Sequence, residues 1–318
     1  MDVISLYYFS ELAKDLHMTR TANRLFITQQ TLSNHIQRLE KYYGVDLLYR
    51  KPVLSLTCAG EFVLAFADVV NKENTNLKDI LSDIKNQEKG MIRFGASTMR
   101  VNACLPGILP QFSKRYPDVE IRITDTISSK LEPMIINGQL DFAIIVSGEE
   151  NSKLVSEHLM DDQVYLCVAD SLLRQYYGDE IDDLKLSARN GANIKDFAKL
   201  PFCMLSNRMG RQIKQSFDEA GVTPKQYITS TYTQISSNLC LQRLAACFSS
   251  QMSLVNQQSL IPDDINIFPL YYRGEPMIQR LSLIRHKERY LSHYSKLFLE
   301  LMFQYFSDVQ QIRMDRSV

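Results

Sequence analysis

The sequence predicts an α/β protein that begins with an all-α winged helix-turn-helix unit. Two observations predict this. Apolar residues recur three and four positions apart through the first sixty residues, as they do in amphipathic helices, whereas strand and helix patterns alternate from Met91 onward. The chain has 318 residues, enough for two or three domains. Its composition, 45% hydrophobic and 23% charged, is that of an ordinary globular protein.

Three helices are predicted up to Gly44. The first covers residues 3–16. The second follows an N-cap at Thr19 and ends near Phe26, and the third follows an N-cap at Thr28 and ends at Gly44. The apolar stripe of the third helix consists of Leu32, Ile36, Leu39 and Tyr43. Two short helices joined by so few residues predict a helix-turn-helix.

The outward face of the third helix is polar and uncharged, where an ordinary solvated helix more often shows Glu and Lys. It displays Gln29, Gln30, Thr31, Ser33, Asn34 and Gln37. Amide side chains bind adenine through N6 and N7 at once, so this face is a candidate for base reading. Thr19 and Thr28 are further candidate DNA contacts. The candidate phosphate contacts around this face are Arg20, Arg24, Arg38, Lys41, Arg50 and Lys51. A three-helix unit that binds nothing is the alternative, because residues 1–58 carry only seven Lys/Arg against five Asp/Glu.

A two-stranded wing is predicted directly after this unit. Val45–Leu48 is mostly apolar, and Val53–Leu56 alternates apolar and polar residues. The basic pair Arg50-Lys51 lies between them, at the expected tip. The wing would lie beside the third helix and add positive charge to its polar face.

A long helix is predicted after Thr57, which is a candidate N-cap. Its apolar seam, interrupted once by a glutamate, consists of Val63, Phe66, Val70, Glu73, Leu77, Ile80 and Ile84. A repeat near 3.5 residues favours packing along another helix. Two interpretations stay open: a coiled coil between two subunits, or a helix lying on its own domain. Gln87–Gly90 has the composition of a hinge.

From Met91 the alternating pattern predicts an α/β sheet with helices on both faces. The predicted strands are 92–96, 119–124, 142–146, 164–168, 202–205, 227–231, 267–270 and 281–284. The predicted helices are 105–116, 131–137, 211–220, 235–246 and 290–306.

The N-terminal stretch resembles the LysR-type transcriptional regulators. The matching phrases are F-x-x-L-A from Phe9, T-R-T-A-x-R-L from Thr19, T-Q-Q-T-L-S-x-x-I-x-x-L-E from Thr28, G-V-x-L-L-x-R from Gly44 and L-T-x-A-G from Leu56. The resemblance implies that the third helix enters the major groove, that the wing flanks the DNA backbone, and that the long helix pairs two subunits. Gln30 stands where the family usually has proline, and Asn34 where arginine is frequent, so sequence preference and phosphate contact are open to change.

The rest of the chain resembles the co-inducer domain of the same family, which has a two-lobed type 2 periplasmic-binding-protein fold. The phrases that carry this match are L-P-x-I-L-P-x-F-x-x-x-Y-P-x-V from Leu105 and I-N-G-x-L-D-F-A-I from Ile136. The second lobe matches weakly, since Ala245–Ser250 replaces the family's glycine-rich turn and proline. The resulting limits are 1–58 for the DNA-binding domain, 59–90 for the linker helix and hinge, 91–306 for the effector domain and 307–318 for a tail. Lobe one would comprise 91–160 and 268–306, and lobe two 161–267.

Ligands of open α/β sheets bind at the carboxyl ends of strands, where helix N-termini present free N–H groups. The corresponding residues are Ser97, Thr98, Arg100, Ser128, Ser129, Ser206, Asn207, Arg208 and Thr231. Ser97, Thr98, Ser128 and Ser129 match positions that line the family's cleft. Simple helix capping is the alternative for each hydroxyl. Together with Arg100 and Arg208, these hydroxyls would suit a small anionic effector such as a carboxylate.

Several other classes are disfavoured. The start of the chain does not read as a signal peptide, and no apolar run approaches the ~20 residues of a membrane span. The six cysteines form no C-x-x-C pair, so they are interpreted as small buried hydrophobes in a cytoplasmic protein, with a redox-sensing pair as the alternative. The five histidines are scattered, and we expect no metal and no cofactor.

The expected function is regulation of transcription. The chain would bind pseudo-palindromic, double-stranded promoter DNA as a homodimer or homotetramer and respond to a small molecule, without a membrane. An enzyme is disfavoured because G-x-S-x-G and phosphate-loop motifs are missing from the sequence. A solute-binding protein would need export, and an architectural DNA-binding protein would not need the two-lobed domain.

Overall fold

The computed structural model describes residues 2–51, 53–84, 89–146 and 151–314, apart from the side chains at positions 79 and 82–84. Its buried residues form separate apolar cores. One lies in the N-terminal unit around Phe9 and Ile36, one around Phe94 and Phe298, one around Phe202, and a smaller one around Ile135. Among the helices in these ranges, none is both long and apolar enough to cross a membrane.

The N-terminal unit contains the predicted three helices and wing. Its elements are α1 (Val3–Ala13), α2 (Met18–Arg24), α3 (Gln29–Tyr43), β1 (Leu48–Tyr49) and β2 (Ser55–Leu56). Thr28 caps α3 as predicted, since its hydroxyl accepts from the Thr31 N–H at 3.0 Å, and Gly44 ends it in a left-handed conformation (φ 71°). The prediction of Thr19 as a cap was wrong. His17 caps α2 instead, because its Nδ1 accepts from the Arg20 N–H at 3.2 Å.

The long helix α4 spans Cys58–Ile84, about 40 Å at 1.5 Å per residue. Val63 and Ala67 pack into the N-terminal core, so one face lies on its own chain. A second face carries an apolar stripe that is 45–75% exposed. This α4 stripe consists of Phe62, Phe66, Val69, Leu77 and Leu81. The predicted seam was wrong at Val63, which is buried because it fills the core beside α1, and at Val70, which packs against that core. Phe66 and Leu77 are exposed, and the side chain of Ile84 lies outside the described residues. The buried face of α4 fits the interpretation of a helix that lies on its own domain. The exposed α4 stripe fits the interpretation of a coiled coil between two subunits.

Eight helices follow α4 in the described ranges if short 3-10 turns are set aside. They are α5 (Thr98–Arg115), α6 (Ser128–Ile136), α7 (Asp170–Tyr177), α8 (Ile181–Ala188), α9 (Arg208–Glu219), α10 (Thr233–Leu241), α11 (Gln251–Gln257) and α12 (His293–Gln311). Helix α12 runs through position 307, which the sequence analysis takes as the start of the tail. Of the predicted hinge, Gln87 and Glu88 lie outside the described residues.

The strands of the C-terminal part are β3 (Gly90–Ala96), β4 (Val119–Asp125), β5 (Phe142–Val146), β6 (Leu154–Ala169), β7 (Ala192–Asn193), β8 (Pro201–Leu205), β9 (Lys225–Ser230), β10 (Cys247–Ser250), β11 (Ile265–Tyr272), β12 (Glu275–Pro276) and β13 (Ile278–His286). Nine of them form one sheet in the order β12-β11-β6-β13-β5-β3-β4, with β10 also paired to β6 and β7 to β11. Strands β8 and β9 pair in parallel beside it.

Strand β6 joins two halves of this architecture. Its first part, Leu154–Gln163, pairs with β13, and its second part, Val164–Ala169, pairs with β10 and β11. The sequence analysis predicts that the chain returns to lobe one at position 268. That position lies inside β11, which is paired to the second part of β6. We therefore propose that the chain returns between Met277 and Gln279, where β13 begins to pair with Gln163 and Asp162.

Candidate functional sites

The outward face of α3 is open to solvent. Gln29, Gln30, Asn34 and Gln37 are exposed, and Thr31 and Ser33 are partly exposed, while Leu32, Ile36 and Leu39 turn inward. The Thr19 hydroxyl donates to Gln29 Oε1 at 3.0 Å, and Gln30 Nε2 donates to Asn34 Oδ1 at 3.0 Å. These bonds hold the amides at the surface in defined orientations, as base reading requires.

The other residues predicted to contact DNA surround that face. Some of their side chains are exposed, whereas others are paired with residues of the same chain. Arg20, Thr28 and Lys51 are exposed, and exposed Arg38 lies 3.9 Å from Asp2. Arg50 on the wing is tied to Glu40 of α3 at 2.7 Å, and the other oxygen of Glu40 accepts from the Leu47 N–H. Arg50 therefore fixes the wing against α3 in addition to lying near its polar face.

A groove of about 500 Å³ separates α3 from the wing. Its lining includes Thr19, Gln29 and Ser33 from the helices and Arg50 and Val53 from the wing. Polar α3 residues and a wing arginine thus face the same space.

A second polar cluster lies where the chain crosses between the two lobes. Gln279 of β13 is the register partner of Asp162 of β6, so the two side chains lie on the same face of the sheet. Arg100, near the start of α5, donates to Ser97 Oγ at 3.1 Å and to Gln279 Oε1 at 3.3 Å. Gln279 Nε2 in turn donates to Gln212 Oε1 of α9 at 3.4 Å, which links this cluster to lobe two.

Asp162 is fully buried in this cluster. One oxygen accepts from the Met252 N–H at 3.0 Å, and the Ser250 hydroxyl also lies against the carboxylate. Burial raises the pKa of Asp162 to about 6, although hydrogen bonds from Met252 and Ser250 and the charge of Arg100 oppose that rise. Burial likewise lowers the pKa of Arg100.

Several of the other residues predicted to contact the effector form hydrogen bonds within the protein. The backbone N–H and the hydroxyl of Thr98 both donate to Asp125, which therefore occupies the start of α5. Asn207 caps α9 through the Gly210 N–H at 3.0 Å, and Ser128 Oγ accepts from the Val146 N–H. Ser129, Ser206, Arg208 and Thr231 are exposed. The structure thus brings Ser97 and Arg100 together, while capping accounts for Asn207.

Sequence reasoning missed Asp162, Gln279, Gln212 and Asp125. One local signal was present: Asp161-Asp162-Gln163 interrupts an apolar stretch between Leu159-Met160 and Val164. Buried polar residues inside a strand indicate a paired or functional position. Gln279 and Gln212 had no such signal, because their partners lie far away in the sequence.

A buried polar chain connects α4 to lobe one. Asp141 accepts from Arg93 at 2.8 Å and forms an ion pair with Arg289 at 2.7 Å, and Arg289 also donates to Asn76 of α4 at 2.7 Å. Beside it, Lys72 Nζ lies 3.2 Å from His286 Nε2. Burial, followed by the positive charge of Lys72, lowers the pKa of His286, so this contact involves the neutral imidazole.

Five of the six cysteines are buried as predicted, and the prediction was wrong for Cys58, which is exposed. Burial raises the pKa of Cys104 to about 12 and of Cys203 to about 11, and hydrogen bonds to Cys167 and Cys240 hold the pKa of Cys247 well above its ordinary value. The thiolate is the reactive form, so these positions favour inert thiols over a redox-sensing pair.

Asp162 predicts a pH dependence of stability. Its pKa in the folded protein lies above its value in the unfolded chain, so the native state binds the proton more readily between about pH 4 and pH 6. The contribution of this group to stability is therefore greatest in acid and is lost as the pH rises through about 6. Relative to Asp162→Asn, the wild type should lose about 2 kcal/mol between about pH 4 and pH 7. Denaturation followed by circular dichroism at both pH values measures the difference, and a constant difference would contradict the assignment.

Comparison with known proteins agrees with this architecture. Residues 4–61 match the family model described as bacterial regulatory helix-turn-helix protein, lysR family, and residues 85–307 match the LysR substrate binding domain. The uncharacterized regulator YwbI of Bacillus subtilis is 26% identical over 305 residues, covering 94% of this chain and 95% of that protein. YkuM of the same organism is 28% identical over 167 residues, and that match spans 52% of this chain and 57% of YkuM.

A solved structure shares the fold. The crystal structure of full-length CbnR complexed with its target DNA superimposes with a TM-score of 0.58 at 18% identity and covers 96% of this chain and all of that one. The two family models together span the helix-turn-helix unit and both lobes. The chain belongs to the LysR family of bacterial transcriptional regulators.

Proposed function

We propose that this regulator works in the cytoplasm, reads promoter DNA with the amide face of α3, and holds a small anionic effector between its lobes. The observation that carries the proposal is the exposed, uncharged row of amides and hydroxyls on α3, bordered by a groove that a wing arginine also lines. Such side chains discriminate between base edges in the major groove, whereas the surrounding cations contact phosphate. Regulators of this family are not enzymes, and we propose no catalytic role for this chain.

DNA binding is proposed to involve a dimer or a pair of dimers. Two copies of α3 held about one helical turn apart read a pseudo-palindromic site, and the α4 stripe provides an apolar surface for that pairing. The Arg289 and Lys72 contacts then join α4 to the lobe that holds the effector. An effector that binds one arrangement of the lobes more tightly shifts the population toward that arrangement, and α4 transmits the change to the DNA.

Gln29→Ala tests the base-reading role. We expect the variant to lose about 1–3 kcal/mol of discrimination between the DNA upstream of its own gene and a scrambled duplex, because one amide contact to a base edge is removed. Fluorescence anisotropy at two salt concentrations measures both affinities, and wild-type binding should weaken with salt as counterion release requires.

The matched control is Gln111→Ala, an exposed glutamine on α5, which should bind both duplexes as the wild type does. An unchanged preference in Gln29→Ala would remove Gln29 from the reading face. Equal, weak binding of the wild type to both duplexes would instead remove the assigned target.

A further inference from the structure

The polar face of α3 carries two rows of side chains with different contacts. Gln29 accepts a hydrogen bond from the Thr19 hydroxyl of α2 at 3.0 Å and, with Ser33, borders the groove beside the wing. Gln30 and Asn34 lie one turn apart on the neighbouring row, and Gln30 Nε2 donates to Asn34 Oδ1 at 3.0 Å. Gln29 is therefore joined to another helix, whereas the amides of Gln30 and Asn34 are joined to each other.

A hydrogen bond between exposed amides four positions apart has a structural alternative, since such pairs stabilise helices. Gln234 Nε2 donates to Asn238 Oδ1 at 3.2 Å in this way on α10, in the second lobe. The pair on α3 differs in its surroundings. Asn34 borders a concavity of about 270 Å³ whose lining includes Arg38 and Lys41, both exposed cations. Cations at the edge of an uncharged row suit phosphate, so these surroundings favour a role at DNA.

The bond between Gln30 and Asn34 decides which groups the pair can offer to a base. An amide has an oxygen that accepts and a nitrogen that donates. Because the bond engages the nitrogen of one amide and the oxygen of the other, the remaining oxygen and nitrogen are left for a ligand. These are Oε1 of Gln30 and Nδ2 of Asn34, on side chains that are both exposed. The pair thus presents one acceptor and one donor, and the mutual bond orders both amides before DNA binds.

We propose that Gln30 and Asn34 act as one reading unit, which selects adenine at a single base pair in each half of the pseudo-palindromic site. This inference rests on the proposed function, since it concerns the same face of α3. The major-groove edge of adenine offers N6–H as a donor and N7 as an acceptor, which match the oxygen of Gln30 and the nitrogen of Asn34. Guanine offers two acceptors, O6 and N7, so the oxygen of Gln30 would face another oxygen. An acceptor that loses water without gaining a donor is costly, so guanine is disfavoured at that position.

Selection of duplexes from a random-sequence library by the full chain identifies the preferred site, and anisotropy then measures affinity for that site with single base pairs exchanged. We expect one adenine whose replacement by guanine weakens wild-type binding by at least about fivefold. Gln30→Ala and Asn34→Ala should each reduce that preference to less than about twofold, at the same base pair. Because the two residues act as a unit, the double variant should lose no more than either single variant.

A reversed preference is a stricter test than a lost one. Arginine has five donors and no acceptor, and it binds O6 and N7 of guanine. Asn34→Arg should therefore prefer guanine over adenine at the base pair that the two alanine variants identify. Gln29→Ala should weaken discrimination at a different base pair, because Gln29 lies on the other row.

The control is the double variant Gln234→Ala and Asn238→Ala, which removes an exposed pair of the same kind from α10 and should keep the wild-type base preferences. Circular dichroism shows that each variant is folded. An unchanged preference in either alanine variant, effects at two different base pairs, or losses that multiply in the double variant would overturn this inference alone. So would a selected site without such an adenine. A wild type that selects no sequence at all would overturn the proposed function as well.

Discussion

Replacing Asp141 with asparagine is expected to lower the free energy of unfolding by about 3–5 kcal/mol. The Asp141 carboxylate is only 3% exposed and lies between Arg93 and Arg289, and it also accepts from the backbone N–H of Arg93 at 2.7 Å. Removing its charge leaves two guanidinium groups, one of them buried, without their counterion. Denaturant midpoints are best followed by circular dichroism, because the chain contains no tryptophan.

Glu120→Gln is the matched control for Asp141→Asn. Glu120 pairs with Arg122 at 2.7 Å, but both side chains are more than half exposed, so its loss should cost less than about 1 kcal/mol. Equal, small changes in the two variants would show that the Asp141 network contributes no more than a surface pair. A large change in Asp141→Asn alone would confirm that lobe one depends on this buried charge.

The contacts that Asp141 makes with Arg93 and Arg289 could not be predicted from the sequence. Asp141 stands in a phrase that matches the family, yet its partners lie 48 residues before it and 148 residues after it. No local pattern indicates that Arg93 and Arg289 meet there. The same holds for Arg100 and Gln279, which are 179 residues apart and meet only because β13 returns beside β6. Such contacts are set by sheet topology, which periodicity does not specify.

Local features were predictable because their causes are local. Thr28 and Gly44 define α3 through bonds to residues within four positions, and the amphipathic stripe of α3 follows from helical spacing. The cap of α2 was missed because His17 acts as an acceptor in place of the more common hydroxyl of Thr19. In the cleft, Ser97 and Arg100 were predicted from their place after a strand. The residues that complete their surroundings lie on the crossing strands and on α9.

The α4 stripe carries the second large expected effect. Replacing Phe66 and Leu77 together with glutamate should convert the protein to a monomer, because two exposed apolar residues of the stripe would then place charge in the proposed interface. Affinity for a full pseudo-palindromic site should fall by about 10²–10⁴, since the second half-site is then no longer bound as an intramolecular event. Light scattering after size exclusion measures the mass, and anisotropy compares full-site and half-site DNA.

The control for the stripe is the double variant Leu186→Glu and Leu260→Glu. These leucines are at least as exposed as Phe66 and Leu77 but lie in the second lobe, away from α4. That variant should keep the wild-type mass and full-site affinity, which separates a general effect of added charge from loss of the interface. A dimer that survives both glutamates on α4 would assign subunit pairing to another surface. Helix α4 would then serve only its own chain, through Val63 on one side and Asn76 on the other.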